Sequence, residues 1–172
     1  VLPPWVAADP ASSRKVLRVN PGAGFGTGTH ETTQLCMGLL WGERERLAHG
    51  ARVLDFGSGS GILAIAAALL GATVDAVEID PLAIDNSREN LSLNGPLAVN
   101  YFQYLSELSP DARYDVIVAN ILKPVLLQFG AELLRFSKPG TVWILSGLME
   151  PDCDAVTECY ERLIERHGAG VR

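Results

Sequence analysis

The sequence predicts an α/β domain: an open, doubly wound, mostly parallel β-sheet with helices on both faces. The chain has 172 residues, of which 48% are hydrophobic and 20% are charged. That is the size and mixture of one globular domain with a full apolar core. From residue 52 onward, apolar runs with strand character alternate with runs of helical spacing over short connections. This alternation is typical of parallel βαβ crossovers.

The individual elements follow from periodicity and from the glycines at their ends. A short alternating run at residues 15–19 predicts a strand, and leucines at helical spacing predict a helix over residues 31–47. Further apolar runs predict strands at residues 52–56, 73–79, 98–103, 114–120 and 141–148. Helices are predicted between and after these strands, at residues 61–71, 81–95, 123–140 and 151–168.

The charge of the chain argues against one large class of partner. The formal net charge is −6 and the pI is near 5.0. Such a surface repels a phosphate backbone, and no block of Lys and Arg overrides the repulsion locally. We therefore expect no direct binding to nucleic acid, whereas a basic protein fits as a partner.

The metal-binding residue types do not form a recognisable site. Cys36, Cys153 and Cys159 lack C-x-x-C spacing, which indicates neither a disulfide framework nor a zinc site. The segment HETTQ at residues 30–34 begins like the H-E-x-x-H motif of zinc proteases, but Gln34 stands where the second histidine is needed. The sequence therefore predicts reduced thiols and no metal.

The hydropathy pattern predicts no membrane association. The longest nearly uncharged apolar run, residues 62–74, is shorter than the ~18 residues that a membrane-spanning helix requires. We find no signal peptide ahead of it. Together with the cysteine pattern, these features lead us to expect a cytoplasmic protein with no membrane partner.

Three glycines cluster in a turn after the first strand of the alternating region. Gly57, Gly59 and Gly61 form the pattern D-x-G-x-G-x-G with Asp55. A dinucleotide fold uses G-x-G-x-x-G instead, and Ile62 occupies the place of its third glycine. Glycines at the carboxyl end of a parallel strand let the backbone approach a ligand closely, so we expect a ligand at this turn.

An acid at the end of the second strand narrows the choice of ligand. Glu78 lies where a carboxylate in this architecture accepts hydrogen bonds from ribose hydroxyls. The phosphate-binding pattern G-x-x-x-x-G-K-[ST] is absent from the sequence. A nucleoside without a pyrophosphate is the ligand that these motifs favour.

The two motifs together resemble those of the class I S-adenosylmethionine-dependent methyltransferases, whose fold is Rossmann-like. A rarer segment, FGTGTHETT at residues 25–33, accompanies them. With PPW upstream and SGSGILAIAA, VEIDPLAI and VANIL downstream, the chain is similar to the PrmA family, methyltransferases of a ribosomal large-subunit protein. The resemblance extends from about Pro3 to about Arg166.

The resemblance implies a cofactor, S-adenosyl-L-methionine, and a set of residues that contact it. Thr33, Gly57, Glu78 and Asn120 match cofactor contacts of the family, and the motifs alone already point to Gly57 and Glu78. The full set of expected cofactor contacts adds loop residues and the neighbours of the motif positions: Phe25, Thr27, Thr33, Gly57, Ser58, Gly59, Glu78, Ile79 and Asn120. Residues 1–20 are then a linker remnant with a short strand, and residues 21–172 the methyltransferase domain.

Asn120 is the candidate catalytic residue. It ends the fourth strand of the alternating region, and its side-chain carbonyl is suited to accept hydrogen bonds from an amine. The alternative is that Asn120 only caps the following helix. Asp55 has two open roles as well, since it could accept hydrogen bonds from N–H groups of the loop or contact the methionine ammonium group.

The resemblance implies an N-methyltransferase that acts on amino groups of a protein, a basic ribosomal protein in particular. Three departures from the family pattern stand out. Glu31 replaces a proline, and the sequence starts at VLPPW, where the family has a substrate-recognition domain ahead of the linker. The last strands of the fold are expected to be lacking. Other functions stay open: a non-catalytic cofactor-binding module, or a methyltransferase of another protein or of a small-molecule amine. A nicotinamide-dependent oxidoreductase is disfavoured by the glycine spacing.

Overall fold

The computed structural model of the chain describes residues 1–20, 22 and 28–167, without the side chain of residue 167. Its five strands are β1 Arg52–Phe56, β2 Thr73–Val77, β3 Val99–Phe102, β4 Tyr114–Asn120 and β5 Ser137–Ser146. The helices are α1 Glu31–Gly42, α2 Arg44–Ala48, α3 Ile62–Leu69, α4 Pro81–Ser92, α5 Lys123–Leu134 and α6 Glu150–His167, with a 3₁₀ turn at Leu105–Glu107.

The strands form one parallel sheet in the order β3-β2-β1-β4-β5. The chain moves outward from β1 to β3, crosses back to place β4 beside β1, and continues to β5. The direction of winding therefore reverses between β1 and β4. The predicted fold class is confirmed, and a crevice for ligands is expected at this reversal point.

Successive residues of the central strands supply two separate cores. Val53 and Val116 face one side of the sheet, where α1 and α3 pack, whereas Leu54 and Ile117 face α5 and α6 on the other side. All four side chains are fully buried. Because strand side chains alternate between the two faces, a strand covered by helices on both sides is apolar throughout.

Several predicted elements differ from the structure, and the strand predicted at residues 141–148 spans Ser137–Ser146. The run at residues 15–19 forms only an isolated parallel bridge between Leu2 and Arg18 rather than a strand. Residues 31–47 form two helices, because the backbone turns at Glu43 directly after a glycine, a poor helix former. The helix predicted to reach residue 140 ends at Leu134.

The early end of α5 has a visible cause in the pairing of β5. The Tyr114 N–H donates to the Phe136 carbonyl at 2.9 Å, and Tyr114 pairs with Ser137. Pairing therefore starts before the Pro139–Gly140 dipeptide, and a register shift in β4 and β5 accommodates it. A proline at a bulge is tolerated because no ladder hydrogen bond is needed there.

Two kinds of feature are absent from the described residues. Among the described helices, none is both long enough and apolar enough to cross a membrane. No group of three or more His, Cys, Asp or Glu side chains within the described ranges is placed to hold a metal ion.

Candidate functional site

A cavity of about 750 Å³ opens at the carboxyl ends of β1, β2 and β4. Gly57 and Gly59 line it after β1, Glu78 and Ile79 after β2, and Asn120 at the end of β4. Its volume lies within the ~300–1,000 Å³ typical of ligand pockets. The cavity is therefore at the position that the winding of the sheet predicts for a ligand.

The glycine turn brings bare backbone to the cavity. Gly57 has φ +78°, in the left-handed region that favours glycine. A Cβ atom added to Gly57 would lie 2.3 Å from Cγ2 of Ile121, so no side chain fits there. On the opposite side, a Cβ atom on Gly61 would lie 2.9 Å from Cβ of Ser87 in α4. The turn is thus confined by neighbours on two sides.

The carboxylate of Glu78 is fixed by two backbone donors. Its Oε2 atom accepts from the Gly59 N–H at 2.8 Å, and its Oε1 atom accepts from the Asp80 N–H at 3.0 Å. The side chain is half-buried and lines the cavity. Both oxygens keep lone pairs for further donors, so Glu78 can accept hydrogen bonds from ligand hydroxyls.

Asp55 lies beneath the glycine turn. Its Oδ2 atom accepts from the Ser58 hydroxyl at 2.9 Å and from the Ala64 N–H, in the first turn of α3, at 3.0 Å. Burial raises the pKa of Asp55 to about 7, and the charge of Glu78 adds to this while the two hydrogen bonds oppose it. Its Oδ1 atom is buried and has no hydrogen-bond partner among the described residues.

The hydrogen bonds of Asp55 bear on its two proposed roles. The carboxylate accepts from the Ser58 hydroxyl and from the Ala64 N–H of α3, not from N–H groups of the loop as the first role stated. The free Oδ1 atom is buried, and contact with a methionine ammonium group stays a prediction.

Asn120 is tied to α1 rather than to the helix that follows it. Its Nδ2 atom donates to Oγ1 of Thr33 at 3.3 Å. The N-cap of α5 is Leu122, so Asn120 does not cap that helix and the capping alternative is wrong. Within the described ranges, Oδ1 of Asn120 is buried without a hydrogen-bond partner. A buried carbonyl with no donor is costly unless a ligand supplies one.

The structure brings most of the predicted contact residues together, although it does not test their roles. Five of them line the cavity: Gly57, Gly59, Glu78, Ile79 and Asn120. Thr33 is buried behind Asn120, and the Ser58 hydroxyl turns toward Asp55 instead of the cavity. Phe25 and Thr27 lie outside the described residues.

Several cavity residues were not predicted from the sequence. They come from segments that are distant along the chain: His30, Gln103, Tyr104, Leu105, Ile121 and Gly147. His30 is the N-cap of α1, where its Nδ1 atom accepts from the Thr32 N–H at 3.4 Å. The sequence could have predicted His30 at the cavity, because the HETT segment that it begins starts a helix next to the site.

Comparison with known proteins identifies the family to which this arrangement belongs. The family model described as "Ribosomal protein L11 methyltransferase (PrmA)" matches residues 1–168. A protein of that name from Pseudomonas paraeruginosa is 44% identical over 161 residues, covering 93% of this chain and 53% of the relative. Its counterpart in Geobacillus thermodenitrificans is 43% identical over 156 residues, covering 87% of this chain and 48% of the relative. The chain thus spans about half the length of the curated relatives it matches.

A solved structure agrees with these sequence matches. The ribosomal protein L11 methylase from Lactobacillus delbrueckii subsp. bulgaricus superposes with a TM-score of 0.82 at 33% identity, covering 94% of this chain and 82% of that chain. Fold and sequence identity therefore agree along nearly the whole chain. We conclude that the chain belongs to the PrmA family of ribosomal protein L11 methyltransferases.

Proposed function

We propose that this chain binds S-adenosyl-L-methionine and transfers its methyl group to amino groups of a protein, ribosomal protein L11. One observation carries the proposal. Gly57, Glu78 and Asn120, at or just after the ends of three neighbouring strands, line one cavity at the reversal point of the sheet. Family membership supports the methyl-transfer reaction, and the printed names of the relatives support the substrate.

The residues around the cavity fit this cofactor. Gly57 and Gly59 line the cavity, and glycine carries no side chain that would keep a ligand away from the backbone of the turn. The fixed carboxylate of Glu78 suits two ribose hydroxyls. Apolar neighbours such as Ile79 and Leu105 suit a base. The buried Oδ1 atom of Asn120 provides an acceptor for an amine.

The chemistry divides between the cofactor and the protein. S-adenosyl-L-methionine, when bound, supplies a methyl group on a sulfonium centre that is already a good leaving group. The remaining task of the protein is to align an amine lone pair and to exclude water. A lysine side chain, with a reference pKa of ~10.4, must first lose its proton. In our proposal the Asn120 carbonyl accepts a hydrogen bond from the incoming amine and orients its lone pair.

The charge of the chain supports a basic protein substrate. The formal net charge is −6, and opposite charge accelerates encounter between two proteins. Exposed acids near the site, Glu31 and Asp80 among them, lie at the starts of α1 and α4. These acids are placed to attract a basic surface toward the cavity.

Two measurements test the proposal. Calorimetry with S-adenosylhomocysteine and with NAD determines the ligand class, and we expect binding of the first only. Transfer of a labelled methyl group from S-adenosyl-L-methionine to ribosomal protein L11, followed by mass spectrometry, determines the reaction. Binding without transfer would support the non-catalytic module instead, and binding of NAD alone would overturn the proposal.

A further inference from the structure

Three asparagines recur at every fourth position along and just beyond α4: Asn86, Asn90 and Asn94. This spacing places side chains on one face of a helix. All three contact a short stretch near the amino terminus: Asn94 contacts Arg18, and Asn90 and Asn86 contact Asn20. The side chains of the asparagine row therefore form hydrogen bonds with backbone groups of this segment, as the backbone of a neighbouring strand would do.

The outer members of the row hold the segment at its two ends. Asn94 bonds both backbone groups of Arg18: its Oδ1 atom accepts from the Arg18 N–H, and its Nδ2 atom donates to the Arg18 carbonyl, each at 2.8 Å. Asn86 lies so close to Gly22 that a Cβ atom there would be 2.2 Å from Nδ2 of Asn86. The hydrogen bonds of Asn86 and Asn94 go to this segment and to the backbone of α4 rather than to the glycine turn.

Asn90, in the middle of the row, has a second connection. Its Oδ1 atom accepts from the Asn20 N–H at 2.7 Å. Its Nδ2 atom donates to the carbonyl of Ser60, between Gly59 and Gly61, at 2.9 Å. Asn90 is fully buried, so neither bond competes with solvent. One amide thus joins the amino-terminal segment to the glycine turn.

Two backbone N–H groups flank Ser60 in the same turn. The Gly59 N–H, one residue before Ser60, donates to the Glu78 carboxylate. The Gly61 N–H, one residue after it, donates to the Ser58 carbonyl at 2.9 Å. A shift of the Ser60 carbonyl would therefore move the backbone that approaches the ligand and the donor that orients Glu78.

We propose that Asn90 is a positioning residue, which couples the anchoring of residues 18–20 to the geometry of the cofactor-binding turn. This inference rests on the proposed function, because it assigns Asn90 a role in binding the same cofactor. The Asn90 amide donates to the turn, whereas the Asn94 amide donates to the Arg18 and Asn90 carbonyls and, among the described residues, makes no hydrogen bond to the turn. Loss of Asn90 frees the turn, whereas loss of Asn94 frees only the segment.

Calorimetry with S-adenosylhomocysteine compares Asn90→Ala with Asn94→Ala, the matched control from the same row. We expect Asn90→Ala to weaken binding ~10-fold, because a buried donor and acceptor lose their partner. The affinity of Asn94→Ala for S-adenosylhomocysteine should stay within ~2-fold of that of the unmodified protein. We expect this even if Asn94→Ala lowers the melting temperature as much as Asn90→Ala does. Equal losses of affinity in the two variants would overturn the coupling.

Hydrogen exchange measured by mass spectrometry on the ligand-free protein gives a readout that does not depend on cofactor binding. The peptide containing the Gly59 and Gly61 amides should exchange faster in Asn90→Ala than in the unmodified protein. In Asn94→Ala its exchange rate should be unchanged. Unchanged exchange in Asn90→Ala overturns the coupling. If the unmodified protein binds no S-adenosylhomocysteine, the proposed function fails, and the exchange comparison still decides whether Asn90 positions the turn.

If Asn90→Ala does not fold, the unmodified protein supplies the deciding measurement. The side-chain amide protons of Asn90 give NMR signals of their own, and one of them donates to Ser60. Titration with S-adenosylhomocysteine should shift the Asn90 side-chain signals together with those of Gly59, and leave the Asn94 side-chain signals in place. A shift at Gly59 without one at Asn90 overturns the proposal.

Discussion

Glu78 and Gly59 are joined across two strand ends by a hydrogen bond of 2.8 Å from the Gly59 N–H to the Glu78 carboxylate. The bond connects the turn after β1 to the end of β2, the two positions that the sequence motifs single out. With the Asp80 N–H as a second donor, the carboxylate is oriented before any ligand arrives. Preorganisation of this kind reduces the entropy that binding must overcome.

Replacement of Glu78 by alanine should weaken the binding of S-adenosylhomocysteine. We expect a loss of ~1–3 kcal/mol, because two ribose hydroxyls lose a charged acceptor. Calorimetry measures the change in affinity. Glu89→Ala removes an exposed carboxylate of α4 and is the control, because it changes the net charge of the protein by the same amount. An affinity for Glu78→Ala equal to that of the control would remove Glu78 from the site.

Gly57 and Gly50 provide a matched pair for the role of bare backbone at the turn. Their φ angles are +78° and +79°, so alanine is strained equally at both. A Cβ atom meets Ile121 at Gly57 and nothing within 4 Å at Gly50. Gly50→Ala should cost only the ~1–2 kcal/mol of the left-handed conformation and leave binding unchanged. Gly57→Ala should lose more stability and bind S-adenosylhomocysteine weakly, and equal affinities would contradict the close approach.

Asp55 should make stability fall with rising pH. Its pKa in the folded protein is raised to about 7 from an ordinary 3.8. Between these values the folded state holds a proton that the unfolded state has released, so the free energy of unfolding decreases as the pH rises from about 4 to about 7. The Asp55→Asn variant lacks this titration and should gain stability relative to the unmodified protein over that range.

Urea unfolding at pH 5 and at pH 7.5 measures the difference between the two proteins. The free energy of unfolding of the variant is subtracted from that of the unmodified protein at each pH. This difference cancels the contributions of the other acids. Asp154→Asn, at an exposed position of α6, is the control and should leave the pH dependence unchanged. A difference that stays constant between the two pH values would show that Asp55 is ionised throughout.

The features predicted from the sequence are those encoded locally. The glycine turn and the acid at the end of β2 each depend on a strand and the residues next to it, and a parallel sheet brings strand ends together whatever the details of packing. Hence Gly57, Glu78 and Asn120 could be expected at one cavity before the structure was known.

The features that were missed depend on contacts between distant segments. Ile121 and Gly147 meet at the cavity because β4 and β5 are neighbours, and no local pattern marks either residue. The early end of α5 follows from the pairing of β5 with β4, which overrides helical spacing. Asn90 reads as an ordinary helix residue in the sequence, since its two partners are 70 and 30 positions away.

Asn120 gives the sharpest test of the proposed chemistry, because one of its two amide atoms is used and the other is not. Nδ2 donates to Thr33, whereas Oδ1 is buried with no partner among the described residues. If the carbonyl orients the amine, Asn120→Ala should lower the rate of methyl transfer to ribosomal protein L11 ~100-fold, as misalignment of reacting groups does. Thr33→Val removes only the partner of Nδ2 and should lower the rate less.

Single-turnover methylation at saturating S-adenosyl-L-methionine measures the rate constant for both variants, beside a melting curve of each. The rate is compared at saturation because loss of cofactor affinity alone then leaves it unchanged. A contact that matters most in the aligned transition state lowers the rate constant much more than the melting temperature. A near-normal rate constant in Asn120→Ala, together with a lowered melting temperature, would assign Asn120 a purely structural role between β4 and α1.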